Sequence, residues 1–229
     1  VTFHARPGTV TAIVGPSGSG KTTIARLISR FWDVDSGAVM VDGVDIRELG
    51  TEQLMSRLSM VFQDVYLFDD SLIANIRVGR PDASDEEVFR AADLSGVTSI
   101  ANRLGWHTPV GEGGRLLSGG ERQRVSVARA LLKQAPIVLF DEATSALDAE
   151  NEANILAAMD ELREQSTFIV IAHKLDTIKS ADQIVVLDEH GQVSQLGTHS
   201  ELSDVPGIYR HFWQQRKAAS GWKISSGRD

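Results

Sequence analysis

Gly15-Pro16-Ser17-Gly18-Ser19-Gly20-Lys21-Thr22 decides how this chain is read. The octet has the form G-x-x-x-x-G-K-[ST]. It follows Val10-Thr11-Ala12-Ile13-Val14, which reads as a buried strand. It opens the stretch 22–31, where Ile24, Leu27, Ile28 and Phe31 fall at helical spacing. Strand, glycine-rich turn and helix in that order make a phosphate-binding loop. The glycines let backbone N–H groups turn inward around phosphate oxygens, and the helix N-terminus adds partial positive charge. In such a loop Lys21 reaches the β and γ phosphates, and the Thr22 hydroxyl ligates Mg²⁺.

Outward from the octet, short apolar runs alternate with helical patterns. Val39-Met40-Val41 and Val44-Asp45-Ile46 flank Asp42-Gly43, a hairpin signal. Ser84 and Glu87 have the spacing of a capping box and start a helix over 84–94. Residues 120–133 read as a helix with Val125, Ala128, Leu131 and Leu132 on one face. Ile137-Val138-Leu139-Phe140 and Phe168-Ile169-Val170-Ile171 have the continuous apolar character of parallel strands covered on both faces. Between them, 151–163 reads as a helix turning Ile155, Met159 and Leu162 inward. Residues 183–187 and 192–196 read as a hairpin around Glu189-His190-Gly191. Strands alternating with helices imply an α/β fold with a mainly parallel sheet. The stretch 64–133 shows helical patterns alone and reads as an inserted helical subdomain. The polar stretch 214–229 reads as a frayed, solvated tail, with contact to a membrane surface as the lesser alternative.

Polar residues sit at the ends of several strands, the edge at which open α/β sheets bind ligands. Asp141-Glu142 follows the run 137–140. Asp141 could hold Mg²⁺ through water, and Glu142 could orient or deprotonate an attacking water; a solvated acidic pair is the plainer alternative. His173 follows the run 168–171, where contact with a γ-phosphate or that water competes with a purely structural role. Gln63 follows Met60-Val61-Phe62, where an amide could feel both Mg²⁺ and a neighbouring element or could simply lie at the surface. Leu117-Ser118-Gly119-Gly120-Glu121 precedes a helix. Ser118 could be merely an N-cap there, with the two glycines serving a tight turn. Ser118, Gly119 and Gly120 beside a helix dipole also make a second anion site. Two anion sites for one nucleotide suggest that the second serves another subunit.

Composition narrows the classes. The 229 residues are 42% hydrophobic and 24% charged, an ordinary globular mix that excludes wholesale disorder. A net charge of −8 counts against a stand-alone nucleic-acid binder. The absence of cysteine excludes a disulfide scaffold, a Cys-ligated zinc and a cysteine nucleophile. No apolar run approaches the ~20 residues that span a bilayer, and no signal segment opens the chain. A start at Val1 reads as a piece of something longer.

Together Gly15–Thr22 (Walker A), Gln63 (Q-loop), Leu117–Glu121 (signature), Ile137–Glu142 (Walker B), Ser145-Ala146-Leu147-Asp148 (D-loop) and His173 (H-loop) resemble the nucleotide-binding domain of an ATP-binding cassette (ABC) transporter. The resemblance spans nearly the whole chain. Gln63-Asp64-Val65-Tyr66-Leu67-Phe68, Ala74-Asn75-Ile76 and Val110-Gly111-Glu112-Gly113-Gly114 resemble the exporter-type cassettes, and the wording is similar to that of bacterial half-transporters handling iron-siderophores. The resemblance implies a P-loop NTPase core (1–63 and 134–213) with an antiparallel β part, a helical subdomain (64–133) carrying the signature, and a polar tail (214–229).

It further implies ATP bound by Gly15 through Thr22, with Thr23 and Gln63; Mg²⁺ at Thr22, Gln63 and Asp141; and catalysis by Glu142, His173 and Lys21. A head-to-tail dimer would complete each ATP site with Ser118-Gly119-Gly120 of an identical or homologous second domain. A membrane domain fused upstream would hold the cassette on the cytoplasmic side of the inner membrane. There, closure would pull on membrane helices through the Gln63 region. The adenine-stacking aromatic would lie upstream of Val1, so this chain is expected to bind nucleotide weakly. Two positions depart from the common pattern: Glu121, where Gln is usual, and Asp176 in His173-Lys174-Leu175-Asp176, where Arg-Leu-Ser is commoner after the His. A soluble cassette acting on DNA or ribosomes and a non-hydrolysing regulatory cassette are the competing readings. The first usually carries long inserts or tandem cassettes; the second would lack Glu142 or His173.

Overall fold

The computed structural model describes residues 1–62, 64–141, 153, 159–160, 162, 165–172 and 175–225, with backbone alone at 176 and 219–225. Strand β1 (Val10–Val14) leads through the glycine loop into α1 (Lys21–Ile28). A small hairpin, β2 (Met40–Val41) and β3 (Val44–Asp45), is followed by α2 (Thr51–Arg57) and β4 (Leu58–Val61). Four helices come next: α3 (Leu72–Arg77), α4 (Asp85–Leu94), α5 (Thr98–Leu104) and α6 (Gly119–Lys133). Then follow β5 (Ile137–Asp141), β6 (Thr167–Ile171), α7 (Leu175–Ser180), β7 (Gln183–Leu187), β8 (Val193–Gly197), α8 (His199–Ser203) and α9 (Ile208–Ser225).

Among the described residues six strands form one sheet in the order β4-β5-β6-β1-β7-β8. The first five run parallel, and β8 closes the edge antiparallel to β7. Alternation along each strand divides the side chains between two layers. Val10, Ala12, Val14, Val138, Phe140, Phe168, Val170, Ile184 and Val186 pack against the helices of 72–132 and against α9. Ile13, Leu139, Ile169, Val185 and Leu187 face α1, the small hairpin and α2. Both faces are covered, which is why these strands read as unbroken apolar runs.

Register then positions the site. Asp141 pairs with Ile171, and Ile13 also pairs with Ile171. Val61 pairs with Phe140. The carboxyl ends of β4, β5, β6 and β1 therefore lie in one row, and the chain leaves all four toward the same edge of the sheet.

Two expectations are corrected. The helix read over 22–31 stops at Ile28, because Arg30 takes a left-handed conformation (φ 53°). There the N–H groups of Arg30 and Phe31 bond back to the carbonyls of Leu27 and Arg26. Phe31 then points outward, 51% exposed, instead of continuing the buried stripe. The second correction is the tail: the backbone stays helical to Ser225. Good helix formers fill 214–219, and upstream Tyr209 is fully buried with Phe212 and Trp213 packed against the core. Of the helix read at 151–163, only Ala153, Met159, Asp160 and Leu162 are described; all four are helical, and Met159 is buried.

Candidate functional site

The glycine loop starts where β1 ends and is walled by β7 and the turn beyond it. A Cβ on Gly15 would stand 2.9 Å from the Leu187 carbonyl oxygen and 2.9 Å from Ser19 Oγ. A side chain would fill the cradle, so only glycine fits. Gly18 (φ 81°) and Gly20 (φ 86°) take left-handed backbone, the conformation that turns successive N–H groups to one side. Gly20 is the N-cap of α1 and contributes no side-chain acceptor. The first-turn N–H groups of α1 are thus left for an outside anion.

Within the arch, Gly15, Ser19 and Lys21 are buried while Pro16, Ser17 and Gly18 form an exposed rim. Lys21 Nζ donates to the carbonyls of Gly15 (3.1 Å) and Pro16 (2.7 Å), which folds the ammonium back over the loop. Ser19 Oγ is buried and, among the described residues, has no hydrogen-bond partner. An orphaned buried hydroxyl is costly unless something else satisfies it. A phosphate oxygen in the loop would do so. Thr22 Oγ1 donates to Asp141 Oδ1 at 3.2 Å, and Asp141 is only 5% exposed. A hydroxyl and a carboxylate thus converge from two adjoining elements, α1 and β5, as hard oxygen donors that suit Mg²⁺. Thr23, one residue further along α1, is exposed. Gln63, Glu142 and His173, together with the 145–148 motif, lie outside the described residues. Their described predecessors Phe62, Asp141 and Ala172 stand on the row of strand ends derived above.

Ser118-Gly119-Gly120 opens α6. Ser118 Oγ accepts the Glu121 N–H at 3.2 Å, and Glu121 Oε2 accepts the Ser118 N–H at 2.8 Å, a reciprocal capping box. Glu121 here does what Gln would do, so that departure leaves the helix start intact. Burial pushes the Glu121 carboxyl up, but the Ser118 N–H and the Arg103 guanidinium outweigh it and hold it below the usual carboxylate range. Ser118 and Gly119 are exposed, free to meet something outside the chain.

Sequence reasoning passed over the residues that hold this helix in place. Gln123, 3% exposed, donates to the Phe62 carbonyl at 3.2 Å, and Arg129 grips the loop after it. A polar residue on an otherwise apolar helix face was the available signal.

A glycine phosphate loop between a central strand and a helix, with Thr22 in the first turn of that helix paired to Asp141 at the end of β5, defines a P-loop ATPase domain. Comparison with known proteins narrows the class. The sequence pattern of the family described as "ABC transporter" matches residues 1–145. The mycobactin import ATP-binding/permease protein IrtB of Mycolicibacterium thermoresistibile is 49% identical over 99% of this chain and 39% of its own length. The ATP-dependent lipid A-core flippase of Legionella pneumophila is 47% identical over 93% of this chain and 37% of its own length. A bacterial Atm1-family ABC exporter solved with ATP bound superposes with a TM-score of 0.89 at 45% identity, over 93% of this chain and 38% of that one. The chain belongs to the ABC transporter family, of which it is an ATP-binding and ATP-hydrolysing domain. It spans less than two fifths of the length of these relatives.

Proposed function

We propose that the chain is the motor of a membrane transporter, closing head-to-tail with a second such domain around two MgATP. The observation that carries this is the separation of two prepared anion sites. The loop holds an orphaned Ser19 hydroxyl and the Lys21 ammonium. Ser118 and Gly119 stand exposed at the start of a different helix, their cap satisfied within the chain. In this reading Gly15–Thr22, with Thr23, bind the triphosphate. Lys21 leaves its loop carbonyls for the γ-phosphate, Thr22 and Asp141 hold Mg²⁺ with Gln63, and Ser118-Gly119-Gly120 caps the partner's ATP. A bound Mg²⁺ neutralises charge on the phosphates. Glu142 orients and deprotonates the attacking water, and His173 steadies the γ-phosphate.

Among the described residues no helix is long and apolar enough to cross a membrane. A membrane domain is proposed as a further part because the chain spans only 39% of an ATP-binding/permease relative, with the cassette on its cytoplasmic side. Its docking face is proposed on the exposed rings that flank the chain leaving β4: Phe31, which meets Phe62 at 5.7 Å between centroids, and the Tyr66–Phe68 pair, 5.8 Å apart. Likeness to the mycobactin import protein makes an iron-siderophore the first cargo class to assay.

Light scattering on Glu142→Gln tests the core of this reading. With millimolar MgATP the variant should dimerise, and Lys21→Ala in the same background should abolish the dimer. A Glu142→Gln chain that binds ATP yet stays monomeric would overturn the self-paired sandwich, and turnover close to wild type would overturn Glu142 as the base.

A further inference from the structure

We propose that Arg129 is a positioning residue: with Gln123 it makes α6 a two-point clamp on the chain leaving β4, so that the Ser118 end of the helix and the exposed rings of Tyr66 and Phe68 move as one body. Arg129 Nε donates to the Asn75 carbonyl at 2.6 Å. One terminal nitrogen donates to the Tyr66 carbonyl at 2.9 Å, and the other to Asn75 Oδ1 at 2.6 Å. The guanidinium carbon lies 5.8 Å from the centroid of the Phe68 ring.

Asn75 is fully buried and closes the loop from inside. Its Oδ1 accepts the Phe68 N–H, and its Nδ2 donates to the carbonyls of Phe68, Asp70 and Ser71. The Arg129–Asn75 pair therefore sets the path of 66–75 as a whole. Six residues earlier on α6, Gln123 fastens the Phe62 carbonyl. Beyond α3, a Cβ on Gly79 would stand 2.2 Å from the Arg129 carbonyl oxygen, so α3 is pressed on α6 at the same level.

The chemistry selects arginine. Burial pushes the guanidinium down to about 10, which leaves it charged at neutral pH. Its acceptors named above are all neutral oxygens, so no opposite charge offsets the lost hydration through those bonds. The planar fork of N–H donors reaches three oxygens at fixed angles, which a single ammonium cannot do. Such a tie resists rotation as well as separation. One end of α6 carries the exposed anion site, and its flank carries the exposed rings. A displacement at either is delivered to the other through a helix that cannot slip. What would push on the rings rests on the transporter reading; the clamp does not.

The test is hydrogen exchange on this 229-residue chain, comparing wild type with Arg129→Lys and Arg129→Met, followed by MgATP kinetics. In the Lys variant, which keeps a charge and one bond, amides of 66–70 should exchange about tenfold faster while those of β1, β6 and β7 stay at wild-type rates. The same variant should keep its KM for MgATP within about twofold and lose kcat by about fivefold, since the loop is intact and the signature end is misplaced. The Met variant, if it folds, should be worse in both readouts. Wild-type exchange at 66–70, or a parallel rise in the core strands, would overturn the clamp. Local loosening with unchanged kcat would overturn the positioning role. Failure of the dimer reading would show separately, in the scattering of Glu142→Gln.

Discussion

Lys21 is held in place by the loop it serves. Its ammonium donates to the carbonyls of Gly15 and Pro16 and is only 7% exposed. Hydrogen bonds to charged groups contribute about 1.5–3 kcal/mol each, so Lys21→Ala should weaken ATP binding roughly 10- to 100-fold. Isothermal titration measures this directly, and an affinity within twofold of wild type would remove Lys21 from the phosphate site. Gly15→Ala acts on the same cradle by sterics. Its methyl would meet the Leu187 carbonyl at 2.9 Å, and backbone cannot swing aside as a side chain can. Overpacking of this kind costs about 1–3 kcal/mol, to be read as a lowered Tm together with lost nucleotide binding. The loop that carries Lys21 and Thr22 was legible in eight consecutive residues. The need for glycine at 15 in particular was not, because the colliding atom comes from β7, far along the chain. Arg129 was hidden for the same reason: its acceptors Tyr66 and Asn75 lie more than 50 positions away, and no local pattern names them.

Elements were legible where periodicity and punctuation agreed. Strands β1, β5 and β6 read as apolar runs, β7 and β8 as the arms of a hairpin, and α4 as a helix opened by the capping box at Ser84 and Glu87. The misread ends have local causes. Arg30 in the left-handed region gave no glycine to announce the end of α1, and the polar face of α9 hid a helix anchored by three aromatics upstream. Helices α4, α6 and α8 share one device. Each starts with a reciprocal capping box closed by a glutamate: Glu87, Glu121 and Glu201. The Ser84 N–H, and then Arg80, hold Glu87 below the ordinary range, and the Thr198 N–H does the same for Glu201. Glu121 is lowered as well, against the opposing pull of burial. Each group has a lower folded than unfolded pKa, so the unfolded chain binds more protons and stability rises with pH across this range. The contribution is fully present above the ordinary Glu value of about 4.3 and is lost as pH falls through the lowered folded values. The triple variant Glu87→Gln, Glu121→Gln, Glu201→Gln keeps the boxes, since Gln serves at that position. Its Tm should therefore fall less steeply than that of wild type below about pH 5. An unchanged slope would show that other carboxylates govern the acid limb.

At the scale of the whole molecule the question is whether one ATP is served by one chain or by two. Gly119 allows a clean test. It is exposed, and among the described residues a Cβ there would meet only the far end of Arg122 at 3.9 Å. Gly119→Glu should fold normally, because an acid in the first turn of α6 favours the helix dipole. It should nevertheless repel the partner's phosphates and stop turnover. Lys21→Ala should also be inactive, through the other half of the site. Mixing the two variants separates the geometries. If each site joins Lys21 of one chain to Gly119 of the other, a mixed pair has one doubly damaged site and one intact site. With random pairing, half the dimers are mixed and half their sites are whole, so up to about a quarter of wild-type turnover should return. If each site were built within a single chain, every site would carry a defect and mixing would restore nothing. Turnover recovered on mixing, and absent from each variant alone, is the result that two exposed half-sites on opposite partners require.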